Sequence, residues 1–375
     1  MAVISRIQTY VFRYPLRTPV VTSFGTMHDR PAVIVRVEDA DGAYGWGEIW
    51  CNFPNCGAEH RARLVDAVLA PQLLGQEAEK PDRIFNALER SLGILGLQTG
   101  EPGPLAQTAA GVDIALCDLA ARRAGVPVRK LFDAEAADTI AAYASGIHPD
   151  SLADAIPAAR SRGYRSYKLK VGFGMEKDRI AVRRLRHMLC DGESMMLDAN
   201  QAWDLTAAAE IMPHLAEISP DWLEEPLAAD RPWSEWQKLA QCTAVPLAAG
   251  ENLRGHAEFD AAIESGAFGV VQPDMCKWGG FSGCLPVARR VVGSGLVYCP
   301  HFLGAGLGLM ASAQLLAAIG GSGTLEVDSN SNPLRELLAR PLPPVVDGLM
   351  SLPDTPGLGV EPDLDGAAEW LAYST

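Results

Sequence analysis

The sequence predicts an α/β protein built on a parallel barrel, with a separate α+β domain in front of it. Three observations predict this. From about residue 139, eight short apolar strands are separated by segments of helix length. Nearly every one of those strands ends in a charged or polar residue. Up to Glu135 the chain instead runs strands first and helices after, without alternation.

The opening fifty residues alternate as strands do: Val3 to Phe12, Ala32 to Glu38, an Asp41-Gly42 turn, then Ala43 to Trp50. A small antiparallel meander is expected. Helical stretches follow around 58–93 and 103–123; in the second, Leu105, Ala109, Val112, Leu116 and Leu119 recur at steps of three and four until Gly125-Val126-Pro127 stops the pattern. The barrel strands are IAAYAS, SYKLKV, SMMLDA, DWLEE, VPLAA, FGVVQP, GLVYCP and GTLEV. A doubly wound open sheet would alternate too, so the count of eight favours the barrel without excluding the sheet. The expected division is 1–135 for the α+β domain and 136–339 for the barrel. The tail, 340–375, with PLPPVV and the turn-rich GLGVEPDLDG, is expected to return to the first domain.

The 375 residues are 48% apolar and 21% charged, an ordinary globular composition. With 32 basic against 46 acidic residues the formal charge is −14, which repels a phosphate backbone, so no nucleic-acid partner is expected. The eight cysteines are scattered without a CxxC pair, and MAVISRIQTYVFRYP lacks the apolar core of a signal peptide; reduced thiols and a cytoplasmic location are expected. Leu303 to Gly321 is weakly polar but interrupted by glycines, Ser312 and Gln314. It reads as a buried helix, not a membrane span.

Strand ends carry the chemistry: Lys168 and Lys170, Asp198, Glu224 and Glu225, Glu251, Asp274, His301 and Glu326. Taken one per strand from Lys170, they recur at the interval of a single βα repeat, so they should ring the C-terminal mouth where barrel enzymes place their sites. Singly, each has a plainer account: an Asp as helix N-cap, a Glu on the rim, a structural His. Jointly those accounts must explain three consecutive strands ending in carboxylates, flanked by two lysines on one side and by Asp then His on the other.

Asp198, Glu224 and Glu251 offer hard oxygen ligands suited to Mg²⁺, with Mn²⁺ as the alternative. Lys168 and Lys170, two apart, share one face of their strand and bring positive charge to an anionic substrate. Neighbouring positive charge and partial burial would lower a lysine's pKa and prepare a general base. Asp274 can hold one ring nitrogen of His301 and leave the other free for proton transfer. Glu326, if protonated, could donate to a substrate carboxylate. The layout suits removal of a proton α to a carboxylate, with the metal taking the enediolate charge.

The runs KLK, LDAN, LEEP, AGEN, QPDMCKWGG, PHF and LEVD, from AYGWGE to PGLGVEP, resemble the enolase superfamily in its mandelate racemase subgroup, over essentially the whole chain. The resemblance implies a modified (β/α)7β TIM barrel with an α+β capping domain formed from the two chain ends. It implies Asp198, Glu224 and Glu251 as Mg²⁺ ligands, Lys170 as one base, the Asp274–His301 dyad as the other, and a homo-oligomer. In the muconate-lactonizing branch a lysine stands where Asp274 stands here, which argues against that branch; Lys277 matches a basic residue of both branches and is not taken as catalytic. VGFGMEKD, GGFSG and SNPLREL look like sugar-acid dehydratases and galactarolactone cycloisomerase.

The expected function is therefore Mg²⁺-dependent dehydration of a sugar acid to a 2-keto-3-deoxy acid. The alternatives are a racemase or epimerase of an α-hydroxy acid and an aldarolactone cycloisomerase, and, from another class, a non-catalytic barrel, which should have lost part of the set. The partner is a small-molecule carboxylate, selected by cap loops 17–30 and 48–58 with Arg17, His28, Arg30 and Phe53.

Overall fold

The computed structural model describes residues 2–21 and 25–375. Three antiparallel strands, β1 (Ile4–Val21), β2 (Thr26–Asp39) and β3 (Tyr44–Ile49), form a meander, with the chain's last strand, β14 (Leu371–Ser374), on its outer edge in the order β14-β1-β2-β3. Helices α1 (Gly57–Leu64), α2 (Ala70–Leu73), α3 (Pro81–Thr99), α4 (Pro102–Ala124) and α5 (Val128–Phe132) follow. Both α3 and α4 begin with proline and end on a left-handed glycine, Gly100 and Gly125, the usual asymmetry of helix ends. Val33, Val35, Val37 and Ile49 pack with Leu105, Val112 and Leu116 as the apolar core of this unit. Asp118 of α4 ties the meander to the helix by accepting from the Trp46 N–H at 2.8 Å.

Seven βα units and a closing strand come next. The strands are β4 (Thr139–Ile147), β5 (Ser166–Lys170), β6 (Ser194–Asp198), β7 (Leu223–Glu224), β8 (Leu247–Ala249), β9 (Val270–Val271), β10 (Val297–Tyr298) and β11 (Thr324–Asp328). The helices between them are α6 (Leu152–Ser161), α7 (Met175–Met188), α8 (Leu205–Ile218), α9 (Trp233–Gln241), α10 (Gly255–Glu264), α11 (Gly280–Gly293) and α12 (Gly306–Ile319). The parallel ladder runs without interruption from β10 down to β4, and β11 joins β4 on its other side. Among the described residues only the β10–β11 rungs are missing; there the Thr324 N–H reaches the Cys299 sulfur at 3.4 Å. This is the modified (β/α)7β architecture.

Strand alternation sorts the side chains. Tyr167, Leu169, Met195, Leu197, Leu325 and Val327 face the helical layer and merge into the main core. Tyr143, Met196, Trp222, Ala248, Val270 and Cys299 plug the barrel interior. The α12 helix is buried along nearly its whole length, as the run from Leu303 to Gly321 predicts, and no helix among the described residues is long and apolar enough to cross a membrane. All eight cysteines are free.

After β11 a five-residue helix, α13 (Pro333–Leu337), leads to the hairpin of β12 (Val345–Val346) and β13 (Leu349–Ser351). The tail thus serves both units: β13 pairs antiparallel with the start of β4, while β14 pairs with β1 and Leu358 and Glu361 bond to Asp118, Arg122 and Trp46 of the first unit.

Candidate functional site

Register brings the strand ends together. Lys170 is the pairing partner of Asp198, and Asp198 of Glu224, across three neighbouring parallel strands. Glu251 follows β8, Asp274 follows β9, His301 follows β10, and Glu326 lies within β11. All are buried except the partly exposed Lys170. The backbone is strained here: Asn200, Gln201 and Glu225, directly after β6 and β7, have φ of 43°, 64° and 39°. Left-handed non-glycine residues cost about 1–3 kcal/mol and cluster at functional sites.

Five of the carboxylates, Asp198, Glu224, Glu251, Asp274 and Glu326, are turned to a cation. Lys170 Nζ lies 2.6 Å from Asp198 Oδ2 and 2.7 Å from Asn200 Oδ1. Lys168 Nζ, fully buried, bridges Glu224 Oε2 and Glu326 Oε1, both at 2.6 Å, and lies 5.4 Å from the Tyr143 ring centre. His301 joins two acids, with Nδ1 2.8 Å from Asp274 Oδ2 and Nε2 against Glu251. Its second nitrogen therefore faces a carboxylate instead of standing free. Lys277 Nζ sits 3.5 Å from Glu251 Oε2 and 5.0 Å from the ring centre of Trp50, which the first domain contributes.

Two electrostatic expectations change. Burial, and Lys168 with it, lowers the Lys170 pKa, but Asp198 at 2.6 Å, together with Glu224, outweighs them, and the net direction is up. Glu326 is no protonated donor. Burial works against its charge, yet Lys168 and His301, with a hydrogen bond from Ser145, hold it down at about 2, and it also accepts from the Phe302 N–H at 3.2 Å.

A third expectation fails on geometry. Arg30, expected to read substrate from a cap loop, is buried, with Nη2 2.7 Å from Asp328 Oδ2, so it fastens β2 to the end of β11. Arg17 and His28 are exposed but lie on β1 and β2, not in a loop, and residues 22–24 between those strands lie outside the described residues.

Among the described residues no three His, Cys, Asp or Glu side chains gather around a common point. The donor chemistry nevertheless fits a hard divalent ion. The mouth holds six carboxylates (Asp198, Glu224, Glu225, Glu251, Asp274, Glu326) against four cationic groups (Lys168, Lys170, Lys277, His301), an excess of two negative charges that one dication would neutralise. Burial first, and neighbouring acids after it, push Glu224 up to about 7 against the pull of Lys168, and Glu225 up to about 8. Asp198, Glu224 and Glu251, at the ends of three consecutive strands, are residues that could hold such an ion.

Sequence reasoning missed the polar frame around these groups. Gln272 Nε2 donates to Glu224 at 2.7 Å, Asn252 Nδ2 to Glu225 at 2.8 Å and to Glu251 at 3.1 Å, and Gln201 Nε2 to Glu225 at 3.0 Å. Asn200 and Asn252, each beside a strand-end carboxylate, were readable from LDAN and AGEN; Gln272 carried no such signal.

Residues 6–132 match the family described as Mandelate racemase / muconate lactonizing enzyme, N-terminal domain, and residues 151–366 match Enolase C-terminal domain-like. The crystal structure of a mandelate racemase/muconate lactonizing enzyme from Bordetella bronchiseptica RB50 is 51% identical, with a TM-score of 0.91 over 98% of this chain and 99% of that one. A racemase from Streptomyces coelicolor A3(2), solved with bound magnesium, is 29% identical, with a TM-score of 0.88 over 98% of this chain and all of that one. D-Galactarolactone cycloisomerase of Agrobacterium fabrum is 28% identical over 98% of both chains. Further relatives are named as sugar-acid dehydratases, cycloisomerases and racemases. The chain is thus an enzyme of the lyase or isomerase kind, and it belongs to the enolase superfamily, in the mandelate racemase subgroup.

Proposed function

We propose that this enzyme removes the α-proton of a sugar-acid carboxylate and expels the β-hydroxyl, giving a 2-keto-3-deoxy acid. One observation carries the reading: two proton-carrying groups flank a single arc of carboxylates, Lys170 on Asp198 at one end and His301 on Glu251 at the other, with Glu224 between them. That is the arrangement an elimination needs, a base for the α-proton and an acid for the departing oxygen.

In this reading Lys170 Nζ takes the α-proton, the Cβ–O bond breaks, and His301 Nε2 gives its proton to the leaving oxygen, so that water departs and the enol tautomerises to the ketone. Asp274, on Nδ1, fixes the ring and supports its charged form. Lys168 is a fixed charge below the site, because its two carboxylates hold it protonated, and Glu326 acts as its anchor and as an acceptor. A divalent ion held by Asp198, Glu224 and Glu251 supplies, when bound, positive charge for the substrate carboxylate. The same carboxylates hold Lys170 and His301 in their charged forms, so neutralising them favours release of a proton from Lys170.

A second reading is supported by the full-length similarity to D-galactarolactone cycloisomerase. There the same elimination opens a lactone, the ring oxygen leaving in place of hydroxide. The test is a panel of aldonates, aldarates and aldarolactones with Mg²⁺, followed by NMR for a new keto carbonyl. Loss of water from an open-chain acid supports dehydration, and conversion of the lactones alone supports ring opening. Interconversion of α-epimers with no keto product would replace both with a racemase.

A further inference from the structure

The two proton carriers, Lys170 at the end of β5 and His301 just after β10, are followed by loops that are fixed in different ways. Beyond Lys170, the chain is tied down by the barrel itself: Asp178 of α7 accepts from the N–H groups of Gly172 at 3.0 Å and Phe173 at 3.1 Å. Beyond Asp274 and His301 the barrel holds each loop near its start, through Asp274 on the Cys276 N–H at 2.8 Å and Glu326 on the Phe302 N–H at 3.2 Å, and Asn332 Nδ2 donates to the Gly304 carbonyl at 2.9 Å. The helices that follow, α11 and α12, begin with Gly279 and Ala305 at the cap positions and no side-chain cap bond. The first N–H groups of a helix lack partners within it, and a buried helix end needs acceptors from elsewhere.

The first domain provides them. Glu48 of β3, 2% exposed, accepts through one carboxylate oxygen from the Ala305 N–H and through the other from the Gly308 N–H at 2.8 Å. Asp113 of α4, 1% exposed, accepts from the Ser282 N–H at 2.9 Å. The approach is so close that only glycine fits opposite: a Cβ on Gly304 would come within 2.5 Å of Glu48 Oε1, and one on Gly280 within 2.4 Å of Asp113 Oδ2. Two contacts beside them act on the same loops. Asn52 Nδ2 donates to the Leu303 carbonyl at 2.7 Å, and the Trp50 N–H to the Cys276 carbonyl at 3.3 Å.

We propose that Glu48 and Asp113 are positioning residues through which the capping domain sets the geometry of the His301–Asp274 dyad, while Lys170, among the described residues, is set by the barrel. The inference rests on the reading of Lys170 and His301 as the two proton carriers. It makes the capping domain a structural half of one proton-transfer group and not merely a cover over the substrate.

The test uses the full-length enzyme and the variants Glu48→Gln and Asp113→Asn, with Asn52→Ala as a milder third. Glutamine keeps one acceptor and turns an amide N–H₂ toward the second backbone N–H. The first readout is the far-downfield imidazole proton shared by His301 Nδ1 and Asp274, assigned by its absence from His301→Asn. In Glu48→Gln it broadens or disappears, while the amide protons of Gly172 and Phe173 keep their protection from exchange; an unchanged resonance overturns the proposal. The second readout is α-hydrogen exchange in D₂O on C2-epimeric sugar acids. The epimer deprotonated on the His301 side, identified with His301→Asn, slows by about 100-fold, the scale of a misplaced catalytic group. The other epimer keeps its rate, and equal slowing of both overturns the proposal. A wild-type enzyme that exchanges neither removes the functional reading and leaves the imidazole proton to decide the positioning.

Discussion

Replacing Lys168 with methionine removes the one ammonium that two buried carboxylates share. Its Nζ is 2.6 Å from both Glu224 and Glu326, and the three side chains are 0%, 2% and 5% exposed. Breaking a buried pair in this way costs about 3–5 kcal/mol, because the partner charge stays buried and unpaired. Glu326 gives a figure of the same size. Lowering its pKa from 4.5 to about 2 corresponds to about 3 kcal/mol of stability, present above the unfolded value and lost as pH falls through the folded one. In Lys168→Met the sign reverses: the freed carboxyl titrates above its unfolded value, the native state binds more protons than the unfolded chain, and stability falls as pH rises. Urea unfolding without divalent ions, followed by tryptophan fluorescence at pH 5 and pH 8, should show a deficit of about 3 kcal/mol already at pH 5 and a larger one at pH 8. A deficit under about 1 kcal/mol, or one equal at both pH values, would refute the reasoning.

Arg30→Met should loosen the attachment of β2 to β11 and cost about 3–5 kcal/mol, since Asp328 is left buried; limited proteolysis between the two units should quicken, and resistance equal to wild type would contradict it. Glu193, held at about 2 by the Arg160 guanidinium, stabilises the native state above pH 4.5 and loses that effect toward pH 2; Arg160→Met should raise the midpoint of acid unfolding, and an unmoved midpoint would count against the pair. Asp274→Asn should lower turnover by about 10² to 10⁴, the range for general acid–base groups, by acting through His301. Full activity in Asp274→Asn beside an inactive His301→Asn would dissolve the dyad.

The barrel and the roll of its strand-end residues were legible because both rest on local rules. Alternation sends Lys168 and Lys170 to one face, and a regular βα repeat returns the chain to the same mouth. What one neighbour does to another was not legible. The ionised state of Glu326 depends on Lys168, far earlier in the chain on β5, and on His301. The capture of Arg30 depends on Asp328, at the end of the last barrel strand. Glu48 looked like one more strand residue, since the uncapped start of α12 meets it only once the two units are packed together. Tail placement was half legible: the turn-rich run announces a return, but the pairing of β13 with β4 is a contact no periodicity encodes.

The central claim, that Lys170 and His301 move protons at the carbon next to a substrate carboxylate, meets its most direct test in deuterium. Wild type, Lys170→Ala and His301→Asn would each be incubated in D₂O with Mg²⁺ and the sugar acids or lactones that wild type converts, and deuterium at the α-carbon and in the product followed by NMR. The account predicts loss of the α-hydrogen with wild type, a fall of about 10² to 10⁴ in turnover for each variant, and abolished exchange where the missing group faces the α-hydrogen. Undiminished α-hydrogen loss in both variants, or conversion by wild type with the α-hydrogen fully retained, would contradict it.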